Sequence, residues 1–358
     1  GPQGLPEQTD ARTSAGAVMK VLLVKTSSLG DVIHALPAVT EALTRCTDLQ
    51  LDWLVEEKFR DIPDKHEGVH EVIPVAVRRW RSDWLGAWPE VKALIQKLRS
   101  AHYDRVIDSQ GLLKSALMTS FANGETHGYD RDSIRESVAC LFYGKKHAID
   151  KNQHAIYRQK ELIAASLGYR SNEVIDCGLA APTAKSKTIM LLHGTTWPSK
   201  EWPESAWTAL ANQIRQDGYE VMAPAGNKQE RERATRILGG RAGLLDQLSL
   251  GDLMSEMQRC AGAVAVDTGL GHLAPALGVP AVGLFGSTSP GLTGILGPET
   301  QSIASTHLPC IPCRKRECQF QKPNDSSNIY PPCFEQITPE IVWQALQLRL
   351  RNKDTKLN

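Results

Sequence analysis

From residue 19 onward the chain repeats one pattern of hydrophobic and polar positions. A short apolar run leads into a turn rich in glycine or polar residues, and a stretch with apolar residues at helical spacing follows. The first unit has its apolar run at 21–24 and its loop at 25–31. The helix predicted after this loop has an apolar side formed by Val32, Ala35, Leu36, Val39 and Leu43. Repeated strand-loop-helix units predict an α/β fold with parallel sheets.

The same pattern predicts the other elements of two successive series. In the first series we expect strands at 51–55, 72–75 and 105–108, and helices at 91–98 and 112–121. In the second series we expect strands at 188–192, 219–223, 262–266 and 281–285, and helices at 230–238 and 250–260. Pro203 suits the first turn of a further helix.

Changes in composition divide the chain into four segments. Residues 1–18 lack the basic start and the apolar stretch of a secretory signal, so we expect a flexible leader there. Residues 19–176 form the first predicted Rossmann-like domain, and 188–358 form the second. Between them, residues 177–187 are rich in Ala, Pro and Lys without periodicity, as is typical of a linker. Two such domains facing each other enclose a cleft at the carboxyl ends of their strands, where open α/β sheets bind ligands.

Length and charge exclude several classes of protein. The chain has 358 residues, with 41 Lys and Arg against 40 Asp and Glu, which gives a formal charge of +1. A chain this balanced is not held to nucleic acid by bulk charge, so any anion must be bound by a local cluster of cations. No apolar run reaches the roughly 18 residues that span a bilayer, so membrane contact is expected to be peripheral.

Asp31 is the first candidate for chemistry. It follows a predicted strand and a glycine, at the rim where the two domains face each other. A carboxylate in this place can act as a general base on an acceptor hydroxyl. It can equally be a helix cap, because Asp is a favoured residue near helix N-termini, and position alone favours the cap.

The second domain has two candidate anion-binding segments. DTGLGH at 267–272 lies between a buried strand and a helix start, where glycines allow backbone N–H groups and the helix dipole to approach a phosphate. A plain tight turn explains this segment about as well. HGTT at 193–196 ends another strand at the same rim, and Lys200 follows it. This lysine can neutralise a leaving phosphate, although a lone loop lysine is usually only solvated.

Four of the eight cysteines cluster near the C-terminal end. Their spacing is Cys310-x2-Cys313-x4-Cys318-x14-Cys333, which can furnish a tetrahedral thiolate site for zinc or iron. Without a signal peptide we expect a reducing compartment, which favours a metal or a thiol cluster over disulfides. A structural metal ion and free or paired thiols both stay open.

Five segments together resemble the lipopolysaccharide heptosyltransferases of glycosyltransferase family 9. The segments are KTSSLGDVIHALPA (25–38), VAVRRWR (75–81), VIDSQGLLKSA (106–116), HGTTWPSKEWP (193–203) and VDTGLGHLAPALGVP (266–280). The resemblance covers nearly the whole chain from Met19. It is closest to the members that add the first heptose to Kdo in the inner core. Five motifs in this order are far more specific than any one of them.

The resemblance implies a GT-B fold and inverting transfer of L-glycero-D-manno-heptose from ADP-heptose to Kdo of Kdo-lipid A. It implies that Asp31 is the base and that Lys200 contacts the donor phosphates. The other donor-binding residues expected from it are Thr195, Thr196, Glu230, Asp267, Thr268, Gly269 and His272. One in-line displacement needs a single base and a stabilised leaving group, so the chemistry is expected to need no metal or other cofactor.

Kdo-lipid A carries carboxylates and phosphates, so the acceptor side needs local cations. The predicted acceptor-binding residues, in the half of the chain where the family binds its acceptor, are Arg78, Arg79, Arg81, Lys114 and Arg135. Simple solvation of a basic loop is the alternative explanation. The resemblance places the enzyme in the cytoplasm, peripheral on the inner face of the inner membrane, with no nucleic acid as partner.

Other functions stay open at this stage. Cysteine clusters occur in other heptosyltransferases, including enzymes that modify Ser or Thr of autotransporter proteins, where the cluster is an iron site. The acceptor could therefore be a protein or another core heptose. A metal-thiol module that binds nucleic acid is disfavoured by the +1 charge. A dinucleotide oxidoreductase is disfavoured because no G-x-G-x-x-G follows the first strand.

Overall fold

The computed structural model describes residues 18–180, 186–320 and 329–357. Within these ranges the chain forms two sheets, each with six parallel strands and helices around it. The predicted α/β fold with two parallel sheets is confirmed. Of the expected leader only Val18 is described, and residues 181–185 of the expected linker also lie outside the described ranges.

The first lobe contains the first sheet and seven helices. Its strands are β1 (Met19–Val24), β2 (Leu49–Glu56), β3 (Val69–Val75), β4 (His102–Asp108), β5 (Asn123–Tyr129) and β6 (Lys145–His147). Its helices are α1 (Leu29–Ile33), α2 (Leu36–Arg45), α3 (Asp61–Asp64), α4 (Val77–Ser82), α5 (Trp84–Ser100), α6 (Leu113–Thr119) and α7 (Ala155–Leu167).

The second lobe contains the second sheet and six helices within the described ranges. Its strands are β7 (Thr188–Leu192), β8 (Glu220–Ala225), β9 (Leu244–Asp246), β10 (Gly262–Val266), β11 (Ala281–Phe285) and β12 (Thr300–Ala304). Its helices are α8 (Glu204–Gln216), α9 (Lys228–Leu238), α10 (Leu250–Arg259), α11 (Gly269–Ala276), α12 (Pro290–Thr293) and α13 (Pro339–Leu357).

Both sheets have the same strand order. The first runs β3-β2-β1-β4-β5-β6, and the second runs β9-β8-β7-β10-β11-β12 when read from its other edge. This is the doubly wound order in which the chain changes direction between the first and fourth strands of each sheet. The loops after β1, β4, β7 and β10 therefore lie at the two switch points, where such sheets bind ligands.

Buried side chains form three apolar groups that hold the layers together. One group, which includes Trp80, packs α4 and α5 on the outer face of the first sheet. Another, which includes Trp207, packs α8, α9 and α13 on the outer face of the second sheet. The third group runs from Leu36 in the first lobe to Leu273 in the second, so the inner faces of both sheets share one continuous core.

The central strands form where the sequence has short apolar runs. All residues of β7, β10 and β11 are buried, as expected for parallel strands covered on both faces. For these three strands the predicted bounds agree with the structure. Most others begin or end one to three residues away from the prediction, because element ends carry little signal in the sequence.

The helix predicted after Asp31 is in fact two helices. α1 ends at Ile33, and α2 begins at Leu36 after a turn at His34 and Ala35. Pro37 lies in the first turn of α2 and has no N–H to donate to the carbonyl of Ile33, so a single helix cannot run through this point. The predicted apolar side still holds, since Val32, Leu36 and Val39 are all buried.

Candidate active site

A cleft of about 880 Å³ lies between the lobes, at the carboxyl ends of both sheets. The loops after β1, β7, β8 and β10 contribute to its walls. The predicted site residues that line it are Asp31, Arg78, Thr195, Thr196, Lys200, Glu230, Asp267, Thr268, Gly269 and His272. Residues more than 200 positions apart in the chain therefore meet in one site.

Asp31 is both a cleft residue and part of a helix cap. Its Oδ2 accepts hydrogen bonds from the backbone N–H of Ser28 (2.8 Å) and from the Ser28 hydroxyl (2.9 Å), and Oδ1 takes part in neither. Burial acts to raise the pKa of Asp31, but Lys25, the Ser28 hydrogen bonds and Arg135 together lower the pKa below its usual value. Asp31 is therefore ionised at neutral pH and still partly accessible from the cleft.

Lys200 faces the cleft from the second lobe as half of an ion pair. Its Nζ lies 2.7 Å from Asp267 Oδ2, and the Thr288 hydroxyl donates to the same oxygen at 2.7 Å. The ammonium also lies 4.6 Å from the ring centroid of Trp197. Asp267 and Trp197 thus hold the lysine in place, so that its charge is presented from a fixed position.

Two further groups lie beside Lys200 on the same wall. Thr268 is the N-cap of α11, so the N–H groups of Gly269 and Leu270 have no partner within the helix, whereas the N–H of Gly271 donates to the carbonyl of Thr268 at 3.0 Å. Glu230 lies near the loops after β7 and β8. Its Oε2 accepts a hydrogen bond from the backbone N–H of Gly226 at 2.8 Å. A Cβ added to Gly194 would lie 3.2 Å from Glu230 Oε1, so this carboxylate sits directly over the β7 loop. The wall combines a cation, free amide donors and a carboxylate.

The lobes contact each other at the start of α1 and α11. A Cβ on Gly269 would lie 2.8 Å from Leu29, so a larger residue there would displace Leu29. A Cβ on Gly30 would lie 3.2 Å from the His272 side chain, which is a tight contact. The His272 ring also packs edge-on against His34, with 4.3 Å between ring centroids. Asp31 is thereby held close to the N-terminal end of α11.

The predicted acceptor residues divide into groups. Arg78 lines the cleft. Arg79 does not line it: its guanidinium is bonded to Glu90 (2.8 and 2.9 Å) and to Glu57 (3.2 Å). Arg81 is exposed and also lies outside the cleft lining.

Lys114 and Arg135 lie beside the loop that carries Asp31. The Lys114 ammonium donates to the Ser27 hydroxyl at 3.4 Å, and Arg135 acts electrostatically on Asp31. Neither lines the cleft directly.

Sequence reasoning missed several residues of the cleft wall. These are Lys58, Phe59, Trp197, Leu245, Leu248 and Arg314. Trp197 directly follows the HGTT segment, and its place three residues before Lys200 is a signal in the sequence. Lys58, Phe59, Leu245 and Leu248 belong to no motif, and Arg314 lies within the cysteine segment, so only the packing of the lobes shows that these residues line the cleft.

The four clustered cysteines lie outside the cleft and are all free thiols. Burial raises the pKa of Cys333 to about 12, and Cys318, Cys313 and Cys310 act in the same direction, which places the four thiols near one another. Nevertheless, among the described residues no group of three or more His, Cys, Asp or Glu side chains is arranged to hold a metal ion. The structural metal site is therefore not confirmed and stays a prediction.

The cysteine segment nevertheless supports the donor-side wall. The N–H of Ser199 donates to the carbonyl of Arg316 (3.1 Å), and the Ser199 hydroxyl donates to the carbonyl of Lys315 (2.6 Å). The N–H of Arg314 donates to the carbonyl of Ser287 at 2.8 Å. The residues between Cys313 and Cys318 thus hold the turn that carries Lys200.

Comparison with known proteins decides the family. Residues 91–323 match the family described as Glycosyltransferase family 9 (heptosyltransferase). Lipopolysaccharide heptosyltransferase 1 of Pseudomonas aeruginosa is 43% identical over 358 aligned residues, which cover 94% of this chain and 99% of that protein. The chain belongs to glycosyltransferase family 9.

Solved structures agree with this assignment. The structure described as E. coli heptosyltransferase WaaC with ADP has a TM-score of 0.80 and 37% identity to this enzyme, and the match covers 92% of this chain and 100% of that one. The same protein with ADP-2-deoxy-2-fluoro heptose has a TM-score of 0.73 and 40% identity, over 80% and 94% of the two chains. The predicted GT-B fold, glycosyltransferase class and heptosyltransferase family are confirmed. None of the helices in the described ranges combines the length and apolar character that a membrane crossing requires.

Buried histidines around the cleft make the fold sensitive to acid. Burial lowers the pKa of His193 and of His272 to about 4, and the pKa of His34 lies well below its usual value for the same reason. In the unfolded chain each histidine regains a pKa of about 6.5, so below that pH the unfolded chain binds protons that the folded enzyme does not. We expect the free energy of unfolding to have its highest value above pH 6.5. It is expected to be lower by about 1 to 2 kcal/mol per histidine near pH 5.

Urea unfolding at pH 7.5 and pH 5.0 measures this dependence. His272→Gln is expected to reduce the difference between the two pH values, whereas substitution of the exposed His102 by Gln leaves it unchanged. Equal stability of the wild-type enzyme at both pH values would contradict the assignment of neutral buried histidines.

Proposed function

We propose that this enzyme transfers L-glycero-D-manno-heptose from ADP-heptose to Kdo of Kdo-lipid A, with inversion at the anomeric carbon. The observation that carries the proposal is the opposition across one cleft of the Asp31 carboxylate and the wall formed by Lys200, Glu230 and the start of α11. The 43% identity to a lipopolysaccharide heptosyltransferase 1 along 94% of the chain supports heptose transfer to lipopolysaccharide. The solved relative with ADP-2-deoxy-2-fluoro heptose supports ADP-heptose as the donor. The solved relative with ADP supports ADP as the leaving group.

The second lobe stabilises the leaving ADP. Negative charge grows on the β-phosphate as the sugar-phosphate bond breaks, and Lys200 stabilises that charge together with the free N–H groups of Gly269 and Leu270. Asp267 keeps Lys200 in position through the 2.7 Å ion pair. Glu230 accepts hydrogen bonds from the ribose hydroxyls. These groups need no metal ion to balance the charge.

Asp31 removes the proton from the attacking Kdo hydroxyl. Because its pKa is lowered, the carboxylate is in the basic form at neutral pH. A weak base of this kind takes the proton as the new bond to the anomeric carbon forms and the hydroxyl becomes more acidic. A single displacement with one base gives inversion, so no covalent carboxylate intermediate is required.

Substitution of Asp31 tests this mechanism. Asp31→Asn is expected to lower kcat by about 10²- to 10⁴-fold, the usual contribution of a general base, while the affinity for ADP changes little. Turnover is measured as ADP release with Kdo-lipid A as acceptor, with and without EDTA, and EDTA is expected to have no effect. Asp48→Asn, at an exposed position of the same lobe, is the matched control. Retention of most activity in Asp31→Asn would remove Asp31 as the base.

The acceptor is tested in the same assay. Kdo-lipid A and a Ser/Thr-bearing autotransporter passenger are offered separately with ADP-heptose, and transfer is expected to Kdo-lipid A alone. Transfer to the passenger alone would overturn the acceptor and leave the donor and mechanism standing.

We further propose that the enzyme is cytoplasmic and rests on the inner face of the inner membrane through an exposed apolar patch beside the cleft. The patch consists of Leu113, Leu117, Val138 and Leu141, whose exposed fractions lie between 45% and 75%. α6 and the turn at 137–142 pack together, and the N–H of Leu113 donates to Glu136 Oε2 at 2.7 Å, so the four side chains share one region. Lys114 and Arg135 flank the patch, as suits a membrane with anionic headgroups.

Vesicle binding tests this surface. Wild-type enzyme is expected to sediment with vesicles of phosphatidylethanolamine and phosphatidylglycerol, and the double variant Leu117→Glu, Leu141→Glu to bind about tenfold or more weakly. The matched control is Leu348→Glu on α13, where the leucine is 52% exposed on the other lobe. Equal binding by the double variant and the control would exclude this patch.

We also propose that the four cysteines form a structural cluster that fixes the turn carrying Lys200, either as thiols alone or around one zinc or iron ion. The bonds from Ser199 to residues 315 and 316 support this role. Metal analysis of purified enzyme separates the two forms: about one ion per chain, lost in Cys310→Ser with Cys313→Ser, supports the ion, and its absence leaves thiols alone. In either form the double variant is expected to raise KM for ADP-heptose. An unchanged KM would contradict the proposal that the cysteine cluster fixes the turn carrying Lys200.

A further inference from the structure

A cluster of buried polar side chains lies beneath Asp31. It consists of Lys25, Asp108, Ser109 and Gln159, of which none is more than 5% exposed. The first three follow or end β1 and β4, the two strands at the switch point of the first sheet, and Gln159 comes from α7. The mechanism above assigns no role to any of them. Buried polar groups of this kind are costly unless each is paired, so their partners indicate what they do.

A chain of hydrogen bonds leads from Lys25 to the backbone of Asp31. The Lys25 ammonium donates to the carbonyl of Ser109 (3.0 Å), and the Ser109 hydroxyl donates to Gln159 Oε1 (3.2 Å). The Gln159 amide then donates to the carbonyl of Asp31 at 3.0 Å. β1, β4 and α7 are thereby connected to the first turn of α1.

Gln110 holds the intervening loop from the other side. Its Oε1 accepts from the N–H of Thr26 (3.2 Å) and from the N–H of Ser27 (3.0 Å). The loop between Lys25 and Asp31 is thus fixed at both ends, so the carboxylate has little freedom to move relative to Lys25.

Lys25 and Asp31 act on each other through their opposite charges. Asp108 has its own partners, since it accepts from the N–H groups of Gln110 and Gly111, the Ser115 hydroxyl and the Tyr143 hydroxyl. Burial raises the pKa of Asp108 and lowers that of Lys25, and Asp31 is the carboxylate that most opposes the lowering for Lys25. Asp108 adds to the effect of Asp31 on Lys25, and Arg135 adds to the effect of Lys25 on Asp31. A buried ammonium and a nearby carboxylate stabilise each other in the ionised form.

We infer that Lys25 is a positioning residue for the base: its ammonium keeps the Asp31 carboxylate ionised, and its hydrogen-bond chain through Ser109 and Gln159 fixes the backbone of α1 that carries it. The inference rests on the proposed role of Asp31 and adds a residue to that same site. Lys25 touches neither substrate in this arrangement, because it is buried and does not line the cleft.

Other titratable and charged groups also face Asp31 or Lys25 and interact electrostatically with them. Arg135, in the loop before the turn at 137–142, lowers the pKa of Asp31, and the charge of Asp31 acts to raise the pKa of His272 on α11. The charge of Asp31 acts to raise the pKa of Tyr129 at the end of β5, and the charge of Arg158 on α7 acts to lower the pKa of Lys25. Of these groups, Lys25 has the largest favourable effect on the Asp31 carboxylate.

The test is the pH dependence of kcat in Lys25→Gln, which keeps a donor for the Ser109 carbonyl and loses the charge. Without the ammonium the pKa of Asp31 rises, so the base is protonated at a higher pH. The acid limb of kcat is expected to move upward by about one pH unit or more, which is a tenfold loss on that limb that disappears as the pH is raised. KM for ADP-heptose is expected to change less than twofold. Lys25→Arg keeps the charge and is expected to leave the acid limb in place.

Lys160→Met is the matched control. Lys160 is another fully buried lysine of the same lobe, with Asn172 Oδ1 at 3.1 Å and Glu41 Oε2 at 3.5 Å from its ammonium. Its loss is expected to lower stability in urea without moving the acid limb. A general effect of removing a buried lysine would move both profiles alike.

The outcomes separate this inference from the proposed function. An unmoved acid limb in folded Lys25→Gln, with Asp31→Asn inactive, overturns the inference and leaves the base standing. Activity of Asp31→Asn overturns the proposed function itself. Should Lys25→Gln fail to fold, Lys25→Arg still decides, because a shifted acid limb in that variant contradicts the charge argument. Gln159→Leu tests the role of the hydrogen-bond chain. We expect kcat to fall while the acid limb stays in place, and an unchanged kcat would remove the hydrogen-bond chain from the inference.

Discussion

The close approach of α1 and α11 is the constraint on which the cleft depends. Each helix begins at the carboxyl end of a central strand in its own sheet, and the two N-terminal ends touch through Gly30, Leu29 and Gly269. A larger side chain at Gly269 would displace Leu29, and one at Gly30 would make a tight contact with His272. Because the helices touch, a group on the first lobe can act on a ligand held by the second.

The two walls of the cleft carry opposite charges. The first lobe presents a carboxylate whose ionised form is stabilised from below by Lys25, and the second presents a lysine held by Asp267 beside unpaired helix amides. A base on one side and a site for developing negative charge on the other suit a displacement between two bound substrates. Each charged group has a partner within its own lobe, so the walls keep their character whether or not a ligand is bound.

The cysteine segment shows how a distant part of the chain supports the site. It follows the last described strand of the second sheet, yet its backbone carbonyls receive the hydrogen bonds of Ser199, next to Lys200. The short turn that carries Lys200 belongs to no long helix or strand. Packing a second irregular segment against it supplies the rigidity that helices and strands supply elsewhere.

Local pattern in the amino-acid sequence was enough to predict both parallel sheets, the three central strands of the second sheet and the loops that carry Asp31, Lys200 and DTGLGH. These features depend on short-range hydrophobicity and on glycine, which any segment carries within itself. The break of the helix at Pro37 was also signalled locally, but the unbroken apolar spacing concealed it. The partners of individual charged side chains could not be predicted in this way. Arg79 is bonded to Glu90, Lys200 is held by Asp267 and Lys25 lies beneath Asp31, and all three arrangements follow from contacts between separate elements. The energy of such contacts depends on distance and burial in the folded molecule, and spacing along the chain carries neither.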